Sequence, residues 1–64
     1  MNYSLSSENG FCRRMESDNL EDAEKEAIEY TLNTGNFCSV LTEEFRPVLK
    51  VSRFNGKLAA KKLF

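Results

Sequence analysis

The chain has 64 residues, of which 41% are hydrophobic and 30% charged, and its net charge of −1 comes from nine basic and ten acidic side chains. That length makes one small domain, in which only ~60% of the unfolded chain's surface leaves the water. The composition excludes a disordered chain, and no apolar run approaches the roughly 18 residues of a membrane span.

The first pair of elements is a hairpin over residues 3–15, with strands at Tyr3–Ser7 and Phe11–Met15 around Glu8-Asn9-Gly10. A two-residue Asn9-Gly10 turn pairs Leu5 with Arg14 and scatters the apolar side chains over both faces. A three-residue loop pairs Ser7 with Phe11, Leu5 with Arg13 and Tyr3 with Met15, and puts Tyr3, Leu5, Phe11 and Met15 on one face. The second register is expected, with Gly10 in the left-handed position of a type I turn plus bulge.

Helical spacing follows over residues 19–34, clearest from Leu20 to about Thr34. Asp18 stands at the expected N-cap, and Glu21 three residues on completes a capping box. Acids crowd the first turns, where the helix dipole favours them. Leu20, Ala23, Ala27, Tyr30 and Thr31 fall on one side, and Gly35 suits a left-handed C-cap.

A second hairpin is expected over residues 37–54, with strands at Phe37–Glu43 and Val48–Phe54 joined through Glu44-Phe45-Arg46-Pro47. Pro47 suits a strand's first residue or an edge. Asn55-Gly56 marks a further tight turn. The segment after it favours helix by propensity, but the Asn-Gly turn favours a returning strand, placed at residues 57–63.

The order β-β-α-β-β, with a fifth strand at the end, predicts an α+β domain: an antiparallel sheet of four to five strands packed by one helix. Its expected core is Tyr3, Leu5, Phe11, Met15, Leu20, Ala23, Ala27, Ile28, Tyr30, Phe37, Leu41, Leu49, Val51 and Leu58.

The catalytic inventory is thin. The chain has no histidine, so a serine or cysteine nucleophile would need lysine or carboxylate as its base. A domain this small is expected to have little room for a pocket of ~300 Å³ or more. No enzyme activity, cofactor or metal site is expected, since structural zinc needs four soft ligands. Cys12 and Cys38 are expected to be free thiols of a reducing compartment. Met1–Glu8 has neither a basic nor an apolar stretch, so a cytoplasmic protein without a leader is the expectation.

Charge is sorted along the chain. Met1–Glu44 holds three basic and ten acidic side chains, whereas Phe45–Phe64 holds six basic ones and no acid. The acids follow from helix capping and solvation, although Asp22, Glu26 and Glu29, with Glu8, also form a candidate secondary acidic surface. The basic set Arg46, Lys50, Arg53, Lys57, Lys61 and Lys62 has no comparable local cause and is the first candidate contact surface, with Arg13 and Arg14 as additions. It suits an acidic protein surface or a phosphate backbone. The plain alternative is that these residues solubilise an open sheet edge.

Leu20-Glu21-Asp22-Ala23-Glu24-Lys25-Glu26-Ala27, then Phe37-Cys38-Ser39-Val40-Leu41, then Asn55-Gly56-Lys57-Leu58-Ala59-Ala60-Lys61 form a pattern over residues 18–61. It resembles small phage-encoded anti-CRISPR proteins of the type I systems. These share a hairpin, a helix opening with Leu-x-x-Ala, and a second hairpin closed by Asn-Gly-x-Leu-Ala-x-Lys. The resemblance implies a non-enzymatic inhibitor acting in the host cytosol, which binds a host protein or ribonucleoprotein complex and obstructs nucleic-acid targeting. Two further expectations stand beside it: direct nucleic-acid binding by the basic hairpin, and a homodimer formed through an open sheet edge.

Overall fold

The computed structural model describes residues 2–64. Strands β1 (Ser4–Ser7) and β2 (Cys12–Arg14) form the first hairpin, helix α1 (Leu20–Thr34) follows, and β3 (Cys38–Leu41), β4 (Pro47–Phe54) and β5 (Lys57–Lys62) complete the chain. The five strands make one antiparallel sheet in the order β2-β1-β3-β4-β5. The helix crosses between β2 and β3, which run parallel on either side of β1, and packs over β3, β4 and β5. The α+β architecture is the expected one.

The first hairpin takes the three-residue loop. Leu5 pairs with Arg13, Ser7 N–H donates to the Phe11 carbonyl at 2.7 Å, and Met15 N–H donates to Tyr3 at 2.8 Å. Gly10 has φ 93°, the left-handed backbone the bulge requires. The last segment is a strand, because Asn55 (φ 54°) and Gly56 (φ 78°) form the turn that folds Lys57 back onto Phe54. Two left-handed central residues are what a type I′ hairpin turn needs. Local turn chemistry thus overrides the helix propensity of Leu58-Ala59-Ala60.

The helix begins one residue later than its expected cap. Asn19, not Asp18, is the N-cap: its Oδ1 accepts from Asp22 N–H at 2.9 Å. Asn19 Nδ2 donates to Asp22 Oδ2 at 2.9 Å, so Asp22 takes the reciprocal place assigned to Glu21. At the other end Gly35 (φ 77°) closes the helix, its N–H donating to Thr31 O at 2.8 Å.

The core lies between the helix and one face of the sheet. Leu5, Val40, Leu49 and Val51 are its largest fully enclosed side chains, joined by Tyr3, Met15, Ala23, Ala27 and Cys38. Ala23, Ala27 and Thr31 form the buried row of the helix, small enough to bring it close to the sheet. Leu20, Ile28, Tyr30 and Leu58, expected within the core, instead flank it and are only partly buried.

Three expected core residues lie elsewhere. Phe37 and Leu41 are only partly buried, because β3 turns its other phase inward and buries Cys38 and Val40. Both phases of this strand are apolar, so alternation does not choose between them. Pairing does, by placing Val40 between Leu5 and Leu49 and Cys38 opposite Val51. Phe11 faces the helix side but is 48% exposed, and its ring stacks on Tyr30 with centroids 6.1 Å apart.

The second hairpin is shorter than expected at β3 and turns at Thr42–Arg46, with Pro47 as the first residue of β4. The register then shifts between Val40 and Leu41, since Val40 pairs with Leu49 and Leu41 with Pro47. Val48 is the extra residue of that bulge.

Candidate functional site

One face of the sheet carries the helix, and among the described residues no element covers the other. Cross-strand pairing assigns each residue to a face. Arg14, Ser4 and Leu41 share the uncovered face with Cys12, Ser6, Ser39, Lys50 and Lys61, followed by Ser52 and Ala59, then Phe54 and Lys57. Its middle is floored by small hydroxyl and methyl side chains, and its cations cluster on β4 and β5.

The six expected basic residues do not form one patch. Lys50, Lys57 and Lys61 lie on the uncovered face, and Lys50 and Lys61 are direct cross-strand partners. Arg53 and Lys62 point to the helix side, opposite Leu58 and Leu49 respectively. Lys62 lines a hollow there with Leu20, Glu21 and Glu24. Arg46 belongs to the β3–β4 turn, where its carbonyl accepts from Thr42 N–H at 2.9 Å. A period of two separates Lys61 from Lys62 by face, although they are adjacent in sequence.

Arg13 and Arg14 divide in the same way. Arg14 is on the uncovered face at the far edge of the sheet, whereas Arg13 turns towards the helix. Arg13 Nη1 lies 2.8 Å from Glu26 Oε2 and forms an ion pair with it. Glu26 Oε1 accepts from Ser17 Oγ at 2.8 Å. Of the acidic candidates, Glu26 is therefore engaged within the fold and Asp22 serves the helix cap, while Glu29 stays exposed. Glu8 accepts from the Phe37 N–H at the rim of the first hairpin.

Besides the hollow of about 440 Å³ beside Lys62, two others exceed the ~300 Å³ for which little room was expected. One, of about 400 Å³, opens on the uncovered face and is lined by Ser6, Ser39, Lys50 and Ser52 together with Glu8 and Phe37. The other, of about 530 Å³, lies between β2 and the helix and holds the Arg13–Glu26 pair with Glu16, Glu29 and Tyr30. Both are open depressions, and among the described residues no group of three or more carboxylate or cysteine side chains could hold a metal ion.

The thiols sit on opposite faces of the sheet and are free: Cys12 is exposed beside Ser6, and Cys38 is buried. Burial pushes the Cys38 thiol pKa up, against weaker lowering by its hydrogen bond with Thr31 and by the charge of Arg13. That environment keeps it a thiol, not a nucleophilic thiolate. Among the described residues no helix is long and apolar enough to cross a membrane.

Compared with protein-family models, curated proteins and solved structures, the chain matches none. The chemistry of its own faces therefore carries the functional reading. Regular alternation along β4 is expected to put Lys50, Ser52 and Phe54 on one face and Arg53 on the other, and it does. What sequence reasoning missed is that Lys61 and Lys62 divide in the same way and that serines floor the uncovered face. The alternation Ser4-Leu5-Ser6-Ser7, together with Ser39 and Ser52, was the available signal.

Proposed function

We propose that this chain is a small, non-enzymatic binding protein of the inhibitor type. In this reading its uncovered sheet face docks on an acidic surface of a host protein or ribonucleoprotein complex that targets nucleic acid, as the likeness to phage anti-CRISPR proteins implies. The observation that carries it is the pair Lys50 and Lys61, two like charges directly opposite each other on an uncovered face. Like charges in that position weaken a sheet. The only ion pair among the described residues, Arg13–Glu26, lies on the other face, so the lysines are left for an acidic partner. Complementary charge also speeds encounter with such a partner.

Direct binding of nucleic acid has less support. The middle of the face carries Ser6, Ser39, Ser52 and Ala59, where a base-stacking platform needs aromatic side chains.

The test is partner capture from host lysate, followed by binding kinetics with the purified partner. Lys50→Glu with Lys61→Glu should lower the association rate by about tenfold or more and weaken its salt dependence. Lys62→Gln, on the helix side, should leave binding unchanged. Normal binding by the double variant would place the contact elsewhere.

A further inference from the structure

Ser6, Ser39, Lys50 and Lys61 form one row straight across β1, β3, β4 and β5, each the cross-strand partner of the next. With strands ~4.8 Å apart, the row is about 14 Å long. Ser52 stands two residues along β4 on the same face as Lys50. Ser6, Ser39, Ser52 and Lys50 all line the open hollow of about 400 Å³.

The hydroxyls of Ser6, Ser39 and Ser52 share with those of Ser4, Tyr3 and Tyr30 the lack of a side-chain hydrogen bond among the described residues. The remaining hydroxyls, of Ser7, Ser17, Thr31, Thr34 and Thr42, each make a hydrogen bond through the side-chain oxygen. Three donors thus face the hollow unused. Neither lysine has a carboxylate within ion-pair distance among the described residues, and the one acid that lines the hollow, Glu8, accepts from the Phe37 N–H.

From this arrangement we infer that the hollow is a subsite for a single phosphate-class oxyanion, held by the Lys50 ammonium and the hydroxyls of Ser39 and Ser52, with Lys61 on the neighbouring strand supplying a second cation from outside the hollow. Two adjacent cations match a doubly charged group better than a carboxylate, and the hydroxyls supply donors to its several oxygens. The cations do not form a track for a polymer. Lys57 lies at the β4–β5 turn and Arg14 on the opposite edge strand. The inference rests on the reading of this face as the contact surface and narrows what the partner presents there.

Titration of ¹⁵N-labelled protein with inorganic phosphate at constant ionic strength tests it, with acetate and adenosine monophosphate as parallel arms. Saturable shifts are expected at the amides of Ser39, Lys50, Ser52 and Lys61, absent with acetate. Equal affinity for phosphate and the nucleotide assigns recognition to the phosphate alone, and tighter nucleotide binding adds a contact to the rest of that molecule. Lys50→Gln and Lys61→Gln should each weaken binding about three- to fivefold, with no change for Lys62→Gln. Shifts that rise without saturation, or equally with acetate, overturn the subsite. If the purified partner binds while phosphate does not saturate, the subsite falls and the proposed function stands. If phosphate saturates but the Lys50/Lys61 double variant binds the partner normally, the subsite stands and the proposed function falls.

Discussion

Phe45 has φ 62°, a backbone region that bulky side chains rarely adopt. Its loop repeats the geometry of the first hairpin, where the equivalent residue is Gly10. The loop is held from both sides: Phe45 N–H donates to Thr42 O at 2.9 Å, and Arg46 N–H to Thr42 Oγ1 at 3.2 Å. The phenyl ring is 68% exposed, so burial does not offset the backbone cost. A left-handed residue with a Cβ costs ~1–2 kcal/mol, and the extra chain entropy of glycine takes back part of that. Phe45→Gly should therefore stabilise the fold by about 0.5–1 kcal/mol, raising the melting midpoint by a few degrees in a circular-dichroism melt. Gly10→Ala should shift it the other way by a similar amount, through the backbone alone, since a Cβ at Gly10 meets nothing within 4 Å. An unchanged midpoint for Phe45→Gly would show that the loop is not strained.

At the scale of elements, the helix start separates two neighbouring polar residues. Asn19→Ala removes the side-chain acceptor of Asp22 N–H and should cost about 1 kcal/mol. Asp18→Ala loses only a long contact of 3.4 Å from Asn19 Nδ2 and should stay within about 0.5 kcal/mol. Urea titration of the two variants would reverse the cap assignment if Asp18→Ala proved the costlier. The cap illustrates what was legible. The spacing of Ala23, Ala27 and Thr31 and the turn residues Gly10, Gly35 and Asn55-Gly56 specify local structure, so the helix, the register of the first hairpin and the fifth strand follow from sequence. The inward phase of β3 does not, because Phe37/Leu41 and Cys38/Val40 are both apolar and only pairing with β1 and β4 decides. The candidate site was half legible for the same reason. Alternation along β4 already separates Lys50 from Arg53, but the faces taken by Lys57, Lys61 and Lys62 need the register of β5 on β4.

For the whole molecule, charge sorted along the chain becomes charge sorted across a body of 31 × 23 × 17 Å. Glu21, Asp22 and Glu29 are exposed on the helix layer, while Lys50, Lys57 and Lys61 are exposed on the far side of the sheet. A net charge of only −1 gives little overall repulsion between copies, so opposite faces can attract one another. Weak association is expected at low ionic strength and should vanish when the Debye length falls to about 8 Å near 0.15 M salt. Light scattering over a dilution series at both salt levels measures it. A dimer that persists at high salt would point instead to pairing through the β5 edge.

The position of Cys12 has one more consequence. It is the exposed thiol of two, and it ends the row that runs through Ser6 and Ser39 to Lys50 and Lys61. Cys38 is shielded behind the sheet and held in its unreactive form. The native chain thus carries its own occupancy gauge, in which the alkylation rate of one thiol reads how much of the sheet face is covered without any label being engineered in.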